Sequence, residues 1–120
     1  MIYAIHHIQI TIPPGALTLA RDFYGTVLGL KEIPKPDSLK GRSGLWFELG
    51  AQQIHIGVEE NAHRSNSKSH IAYQVADLES MRSVLKTAGC NIIESVPIKG
   101  LNRFETRDPF GNRLEFLHVL

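Results

Sequence analysis

A strict alternation of apolar and polar residues opens the chain. Over residues 7–12 the even positions are all isoleucine, whereas the odd positions are His7, Gln9 and Thr11. This period of two predicts a strand that buries its apolar face in the core, with its polar face pointing away from the core. A Pro-Pro-Gly sequence at 13–15 ends the strand.

An amphipathic helix is predicted next. Its apolar positions, spaced three and four residues apart, are Ala20, Phe23, Tyr24, Val27 and Leu28. This spacing predicts about four turns of helix, and Gly29 suits its left-handed end. After a loop marked by Pro and Gly, residues 45–49 and 53–58 predict two strands joined by a turn at Gly50.

The pattern then restarts. Residues 59–69 are almost entirely polar and are typical of a linker, and residues 70–75 predict a strand. A second helix is predicted from an N-cap at Asp77 to a stop at Gly89. Two further strands are predicted at 103–107 and 112–117, and the Asp-Pro-Phe-Gly turn joins them.

The two halves therefore repeat one order of elements: a strand, a helix and a strand cluster. His7 and His70 each open a half, and His55 and Glu115 each lie in the last strand of a half. We predict one domain over 1–120, with a first module at about 1–60, the linker at about 59–69 and a second module at about 70–120.

Composition narrows the function classes. The chain has 120 residues, 13 basic and 12 acidic side chains, six histidines and one cysteine. This balance gives no footprint for nucleic acid or an anionic membrane, and one cysteine cannot form an internal disulfide. No apolar stretch is long enough to span a bilayer and no leader is recognisable at the N-terminus, so we expect a cytoplasmic protein.

The predicted strands place four metal-ligand types on polar faces. Strand parity puts His7, His55, His70 and Glu115 on the side opposite the apolar residues of their strands. Imidazole and carboxylate suit zinc, iron, manganese, cobalt or nickel. Each of these residues taken alone is more commonly a surface or hydrogen-bonded residue. The remaining histidines, which differ in parity or lie in the linker, are interpreted as structural: His6, His63 and His118.

Three segments resemble the vicinal oxygen chelate superfamily of glyoxalases, bleomycin resistance proteins and extradiol dioxygenases. They are His-Ile-x-Ile at 7–10, Phe-Tyr-x-x-x-Leu-Gly at 23–29 and Asp-Pro-x-Gly-Asn-x-x-Glu at 108–115. The resemblance covers essentially the whole chain and is greatest to small glyoxalase family proteins. It implies an α+β fold in which two βαβββ modules form a mixed-sheet cup.

The resemblance also implies one divalent metal ion (Zn, Ni, Co, Mn or Fe) per site, with ligands in the first and last strand of each module. Carried over, these ligands are His7, His70 and Glu115, with His55 at a fourth position where relatives carry Glu or Gln. Histidine there departs from the pattern and makes His55 the least secure ligand. Relatives of this length are commonly homodimers whose sites draw on both chains.

These observations predict a metal-dependent lyase or isomerase acting on a small oxygen-chelating, possibly anionic substrate through an enediolate-type or metal-stabilised intermediate. The catalytic candidates are Glu115 as a ligand and Glu105 as a proton shuttle. Arg103 is a candidate anion clamp, although it and Glu105 could simply form a cross-strand ion pair. The candidate substrate-orienting amides are Gln9, Gln53 and Gln74.

Two alternatives stay open at this point. One is an Fe(II) extradiol-type dioxygenase that uses His7, His70 and Glu115 as a two-histidine, one-carboxylate set. Ring-cleaving dioxygenases usually have a tyrosine at the position that Glu105 occupies here, and this difference weighs against the alternative. The other is a non-catalytic drug- or ligand-binding module of the bleomycin-resistance type. Such relatives typically lack the metal ligands, so the complete set of candidate ligands in this sequence weighs against this alternative.

Overall fold

The computed structural model describes all 120 residues, and they form two compact units, Met1–Ala62 and His63–Leu120. We call these module 1 and module 2. The division falls within the predicted linker. Each module contains one helical segment and one four-stranded mixed sheet, so the α+β class and the two βαβββ modules are confirmed. Neither helical segment is long and apolar enough to cross a membrane.

Module 1 has the sheet order β1-β4-β3-β2, in which β1 and β4 are parallel and the other pairs antiparallel. Its strands are β1 (His7–Ile12), β2 (Lys31–Ile33), β3 (Gly44–Leu49) and β4 (Gln52–Val58). Helix α1 (Leu17–Arg21) follows β1, and a short 3-10 turn, Asp37–Leu39, precedes β3. Parallel pairing of β1 with β4 places the first and last strands of the module side by side.

Module 2 repeats this topology with the order β5-β8-β7-β6. Its strands are β5 (His70–Gln74), β6 (Ile93–Glu94), β7 (Leu101–Arg107) and β8 (Arg113–Val119). Helix α2 (Leu78–Thr87) follows β5, and a 3-10 turn, Arg64–Asn66, precedes it. Here β5 and β8 are the parallel pair.

The first helix differs from the predicted four turns of α-helix. Only residues 17–21 are α-helical, and the chain continues as a π-helical segment, Asp22–Val27, in which Leu28 N–H donates to the Phe23 carbonyl at 2.9 Å. Phe23 and Tyr24 are both buried. Over so short a run the apolar spacing does not distinguish an α-helix from the wider π turn, so the buried face was predicted correctly and the helix type was not.

The second helix begins and ends as predicted. Asp77 Oδ1 accepts the Ser80 N–H at 3.0 Å, which satisfies one free donor of the first turn. Gly89 has a φ of +88°, the left-handed conformation that glycine adopts most readily after a helix. Leu85 is fully buried and packs the helix onto its sheet.

The apolar faces of the sheets form the cores. In module 1 the buried apolar strand residues are Ile12, Leu45, Phe47, Ile54 and Ile56. In module 2 they are Tyr73, Phe104, Leu114 and Phe116. Because side chains alternate along a strand, burying these residues turns their neighbours to the opposite face.

The turn between β7 and β8 is built around the buried Asp108. Its Oδ1 accepts the N–H groups of Phe110 and Asn112 at 2.9 and 2.8 Å, and its Oδ2 accepts from the Asn112 side chain at 2.9 Å. Gly111 has a φ of +98°, and a Cβ there would lie 3.0 Å from the Ser65 backbone nitrogen. This turn fixes the register that brings β8 beside β7.

Candidate metal and substrate site

The polar face of module 1 gathers four of the predicted site residues. In the β1–β4 register His7 lies opposite Gln53, and Gln9 lies opposite His55. Next to β4, Trp46 of β3 lies opposite His55. The face predicted from strand parity is therefore present, and it also includes the only tryptophan.

Three rings stack at the centre of this face. The His55 imidazole lies between the Trp46 indole, at 3.9 Å between ring centroids and 5° between ring planes, and the His7 imidazole, at 4.1 Å and 15°. His55 is only 4% exposed, and its Nε2 donates to Gln53 Oε1 at 2.8 Å. Burial lowers the pKa of His55, and the nearby His7 and His6 lower it further.

The His7 imidazole is contacted at its ring edge by His6 as well as at its face by His55. Its Nδ1 lies 3.0 Å from Nδ1 of His6, with the two rings nearly perpendicular. The other nitrogen of His7, Nε2, is the atom left for a ligand. The sequence indicates a structural role for His6, and its partner in the structure is the His7 ring.

Gln9 and Gly57 fit together on the same face. A Cβ at Gly57 would lie 2.9 Å from Gln9 Nε2, so the absence of a side chain at 57 makes room for the Gln9 amide. Gln9 is exposed, and it can offer its amide to a bound molecule.

The polar face of module 2 brings His70 and Glu115 together. His70 Nε2 lies 3.2 Å from Glu115 Oε2, and His70 Nδ1 lies 3.0 Å from the Lys68 carbonyl oxygen. Both ring nitrogens thus face acceptors. A neutral imidazole has one N–H, so when Nδ1 donates to the Lys68 carbonyl, the lone pair of Nε2 lies beside the Glu115 carboxylate, where both could bind a cation.

This pair fits a divalent ion. A metal-ligating histidine typically donates its other N–H to a carbonyl or carboxylate, which is the contact between His70 Nδ1 and Lys68. Two ligand atoms about 2.1 Å from one ion lie about 3.0–3.4 Å apart at octahedral or tetrahedral angles, and the two atoms here are 3.2 Å apart. The donor types and their spacing therefore suit the metal that the fold implies.

A chain of ion pairs continues from Glu115 across β7 and β8. Arg103 Nη1 donates to Glu115 Oε1 at 2.8 Å, and Arg103 Nη2 donates to the Val96 carbonyl at 2.7 Å. Arg113 donates to both oxygens of Glu105 at 2.7 Å. Arg103 also lies 3.6 Å from Glu105, which links the two pairs into one network.

The network sets the state of Glu105. The hydrogen bonds from Arg113 hold the pKa of this carboxyl group below its ordinary value, so Glu105 is a carboxylate at neutral pH. Its main partner is Arg113 rather than Arg103, and Arg103 chiefly holds Glu115. Gln74 lies on the same face and is exposed.

The four predicted ligands thus form two pairs, His7 with His55 in module 1 and His70 with Glu115 in module 2. No three His, Cys, Asp or Glu side chains of the chain are grouped so that they could hold a metal ion.

Two residues that shape these faces were not proposed as site residues from the sequence. Trp46 could have been found, because strand parity places it opposite Leu45 and Phe47. Arg113 is the second of these residues, and it donates to both oxygens of Glu105. Its pairing with Glu105 depends on the β7–β8 register, which sequence spacing alone does not give.

Paired βαβββ modules with histidine and carboxylate on their polar faces define a class of small proteins built from one repeated unit. Residues 4–116 match the family described as the Glyoxalase/Bleomycin resistance protein/Dioxygenase superfamily. The chain belongs to this superfamily.

Individual relatives agree with this assignment. The chain is 31% identical over 114 residues to a lactoylglutathione lyase of Neisseria meningitidis, covering 86% of this chain and 83% of the relative. A crystal structure of a glyoxalase family protein from Bacillus anthracis is 40% identical, with a TM-score of 0.90 over 100% of this chain and 98% of that one. A fosfomycin resistance protein from Listeria monocytogenes has the same fold, at 17% identity and a TM-score of 0.81 over 100% and 96% of the two chains.

Proposed function

We propose that this protein is a metal-dependent lyase or isomerase of the glyoxalase type that acts on a small oxygen-chelating substrate. The observation that carries the proposal is the His70–Glu115 pair, in which both nitrogens of His70 face acceptors. The similarity to a lactoylglutathione lyase supports the choice of reaction class.

In this proposal His7, His70 and Glu115 hold the divalent ion, and His55 is the least secure ligand of the set. A bound ion of this kind supplies Lewis-acid polarisation of two neighbouring substrate oxygens. Arg103 keeps Glu115 oriented through its bond to Oε1, and its positive charge favours an anionic group on the substrate.

The amides and Glu105 complete the proposed chemistry. Gln53 accepts from His55 through its oxygen, which leaves its –NH₂ group to donate to a substrate oxygen, and Gln9 and Gln74 present exposed amides. Glu105 is the proposed proton shuttle. Because Arg113 stabilises its carboxylate, Glu105 accepts a proton only when substrate binding weakens that pair.

The first experiment is metal analysis of the tag-free protein. We expect stoichiometric metal in the wild type and its loss in His70→Ala and Glu115→Ala. The matched control is His118→Ala, because His118 lies in the same module and bonds to the Val75 carbonyl instead. A wild type that takes up no metal under any supplementation contradicts the proposal and favours a ligand-binding module of the bleomycin-resistance type.

A screen of the metal-loaded protein against hemithioacetals, catechols, acyl-CoA epimers and fosfomycin then tests the substrate class.

We also propose a homodimer in which each metal ion takes ligands from both chains. Support comes from the finding that each module supplies one pair of the candidate ligands and from the resemblance to small relatives. Mixing His7→Ala chains with Glu115→Ala chains tests this, since each mixed dimer then contains one site with all its ligands. Metal uptake by the mixture but by neither variant alone is expected. A monomer in light scattering, or no uptake by the mixture, contradicts it.

One observation favours a second candidate, an Fe(II) dioxygenase of the extradiol type. If His55 stays in its stack, the remaining set is two histidines and one carboxylate, which leaves positions open for oxygen and substrate. Oxygen consumption by the Fe(II)-loaded protein with catechols distinguishes this candidate from a lyase, which consumes no oxygen.

A further inference from the structure

His55 occupies the fourth ligand position of the family pattern, but its surroundings are those of a packed ring. Trp46 covers one face and His7 covers the other. Its Nε2 is satisfied by Gln53, and the residue is 4% exposed. Because Nε2 donates to Gln53, Nδ1 is the only nitrogen of His55 that could offer a lone pair to an ion, and it belongs to a nearly fully buried residue.

The stack also conflicts with joint ligation by His55 and His7. An imidazole directs its lone pair within the plane of its ring, so two imidazoles on one ion must have planes that both pass through that ion. The His7 and His55 planes are inclined by only 15° and their centroids are 4.1 Å apart. Planes so nearly parallel do not meet close to either ring, and therefore no single ion lies in both.

What the stack does is fix His7. His55 covers one face of the His7 ring, and His6 meets its Nδ1 at 3.0 Å. These two contacts define the ring plane and leave Nε2 as the free nitrogen. We propose that His55 is a positioning residue: clamped against Trp46, it orients the His7 imidazole so that Nε2 points in one direction, and it contributes no ligand atom. This role rests on the proposed function, because it assigns His7 to the metal.

Two substitutions at position 55 separate stacking from ligation. His55→Phe keeps a flat ring and removes both nitrogens, whereas His55→Gln removes the ring and supplies the amide oxygen that relatives use as a ligand. The measurement is calorimetric titration of chelator-stripped, full-length protein with Zn²⁺. We expect His55→Phe to bind within about threefold of the wild type, and His55→Gln to bind about 10–100-fold more weakly, as for loss of an outer partner of a ligand.

Position 46 gives a test without any possible ligand. We expect Trp46→Ala to weaken Zn²⁺ binding and Trp46→Phe to restore it, although neither indole nor phenyl binds the ion. In the metal-free protein, the ring protons of His7 should show upfield NMR shifts in the wild type and in His55→Phe, and lose them in His55→Gln. These readouts keep the proposal testable if His55→Phe fails to fold.

The outcomes are distinguishable. Zn²⁺ binding that is lost in His55→Phe but kept in His55→Gln makes His55 a ligand and overturns this inference alone. Unchanged affinity in Trp46→Ala, or unchanged His7 shifts in His55→Gln, also overturns it. A wild type that binds no Zn²⁺ overturns the proposed function and, with it, the role assigned to His55.

Discussion

The two polar faces share one topology and differ in what holds their side chains. The centre of the module 1 face is a stack of rings, Trp46, His55 and His7, supported by an amide. The module 2 face is a network of ion pairs that runs through Glu115, Arg103 and Glu105. The shared backbone determines which way a residue points, whereas its neighbours decide whether packing or charge fixes it there. The two faces should therefore respond to different perturbations.

The largest loss of stability is expected from the apolar cores, in which the two modules have equivalent buried residues. Phe47 and Phe104 each lie in the third strand of their module and are each fully buried. Replacing either with Ala should lower the free energy of unfolding by about 3–5 kcal/mol. Phe104→Ala is expected at the upper end because the Arg82 guanidinium also lies over the Phe104 ring, 4.7 Å from its centroid. Urea denaturation measures both.

The control for this pair is Val84→Ala, since Val84 is exposed on α2, and we expect it to change stability by less than about 0.5 kcal/mol. A cost below about 1 kcal/mol at one phenylalanine and not the other would show that the two apolar faces are not equivalent.

An intermediate effect is expected from charge removal in module 2. Arg113→Met removes the three hydrogen bonds that Arg113 donates to Glu105, whose side chain is only 16% exposed. It should lower the free energy of unfolding by about 1–2 kcal/mol, a modest cost because Arg113 is partly solvated. Arg113→Lys keeps the charge but not the paired geometry and should cost less. Chemical denaturation of the three proteins at low and high salt checks this. Equal stability of Arg113→Met and the wild type would show that the Arg113–Glu105 pair does not stabilise the fold.

The smallest effect is a pH dependence that differs between the faces. His55 has a pKa lowered from 6.5, so the unfolded chain takes up its proton first. The contribution of His55 to the free energy of unfolding is complete above pH 6.5. It is lost as the pH falls through the lower pKa that His55 has in the folded protein. Glu105 has a pKa lowered from 4.5, and its contribution is complete above pH 4.5 and is lost as pH falls through its folded value.

Urea unfolding between pH 7.5 and 3 tests these two windows, in each of which the free energy of unfolding should decrease as the pH falls. His55→Phe should flatten the upper window only, and Glu105→Gln the lower window only. A wild-type profile that His55→Phe leaves unchanged contradicts the assignment of the upper window to His55.

The sequence predicted the strands that carry the site and the face on which each candidate lies. This worked because β1, β4, β5 and β8 are half-buried strands, in which alternation reports directly on orientation. It did not predict β2 and β6, which have three and two residues and little buried surface; these are held by backbone hydrogen bonds that carry no side-chain pattern. The ring stack and the Arg113–Glu105 pair depend on cross-strand register, which turn geometry sets and periodicity does not reveal.

The position of Trp46 has an optical consequence. It is the only tryptophan of the chain, and its indole lies face to face with the His55 ring at 3.9 Å. A protonated imidazole in contact with an excited indole quenches its fluorescence, whereas a neutral imidazole does so far less. The emission of the unlabelled protein therefore reports the protonation of one buried histidine, and any event that moves His7 or His55 changes the same signal.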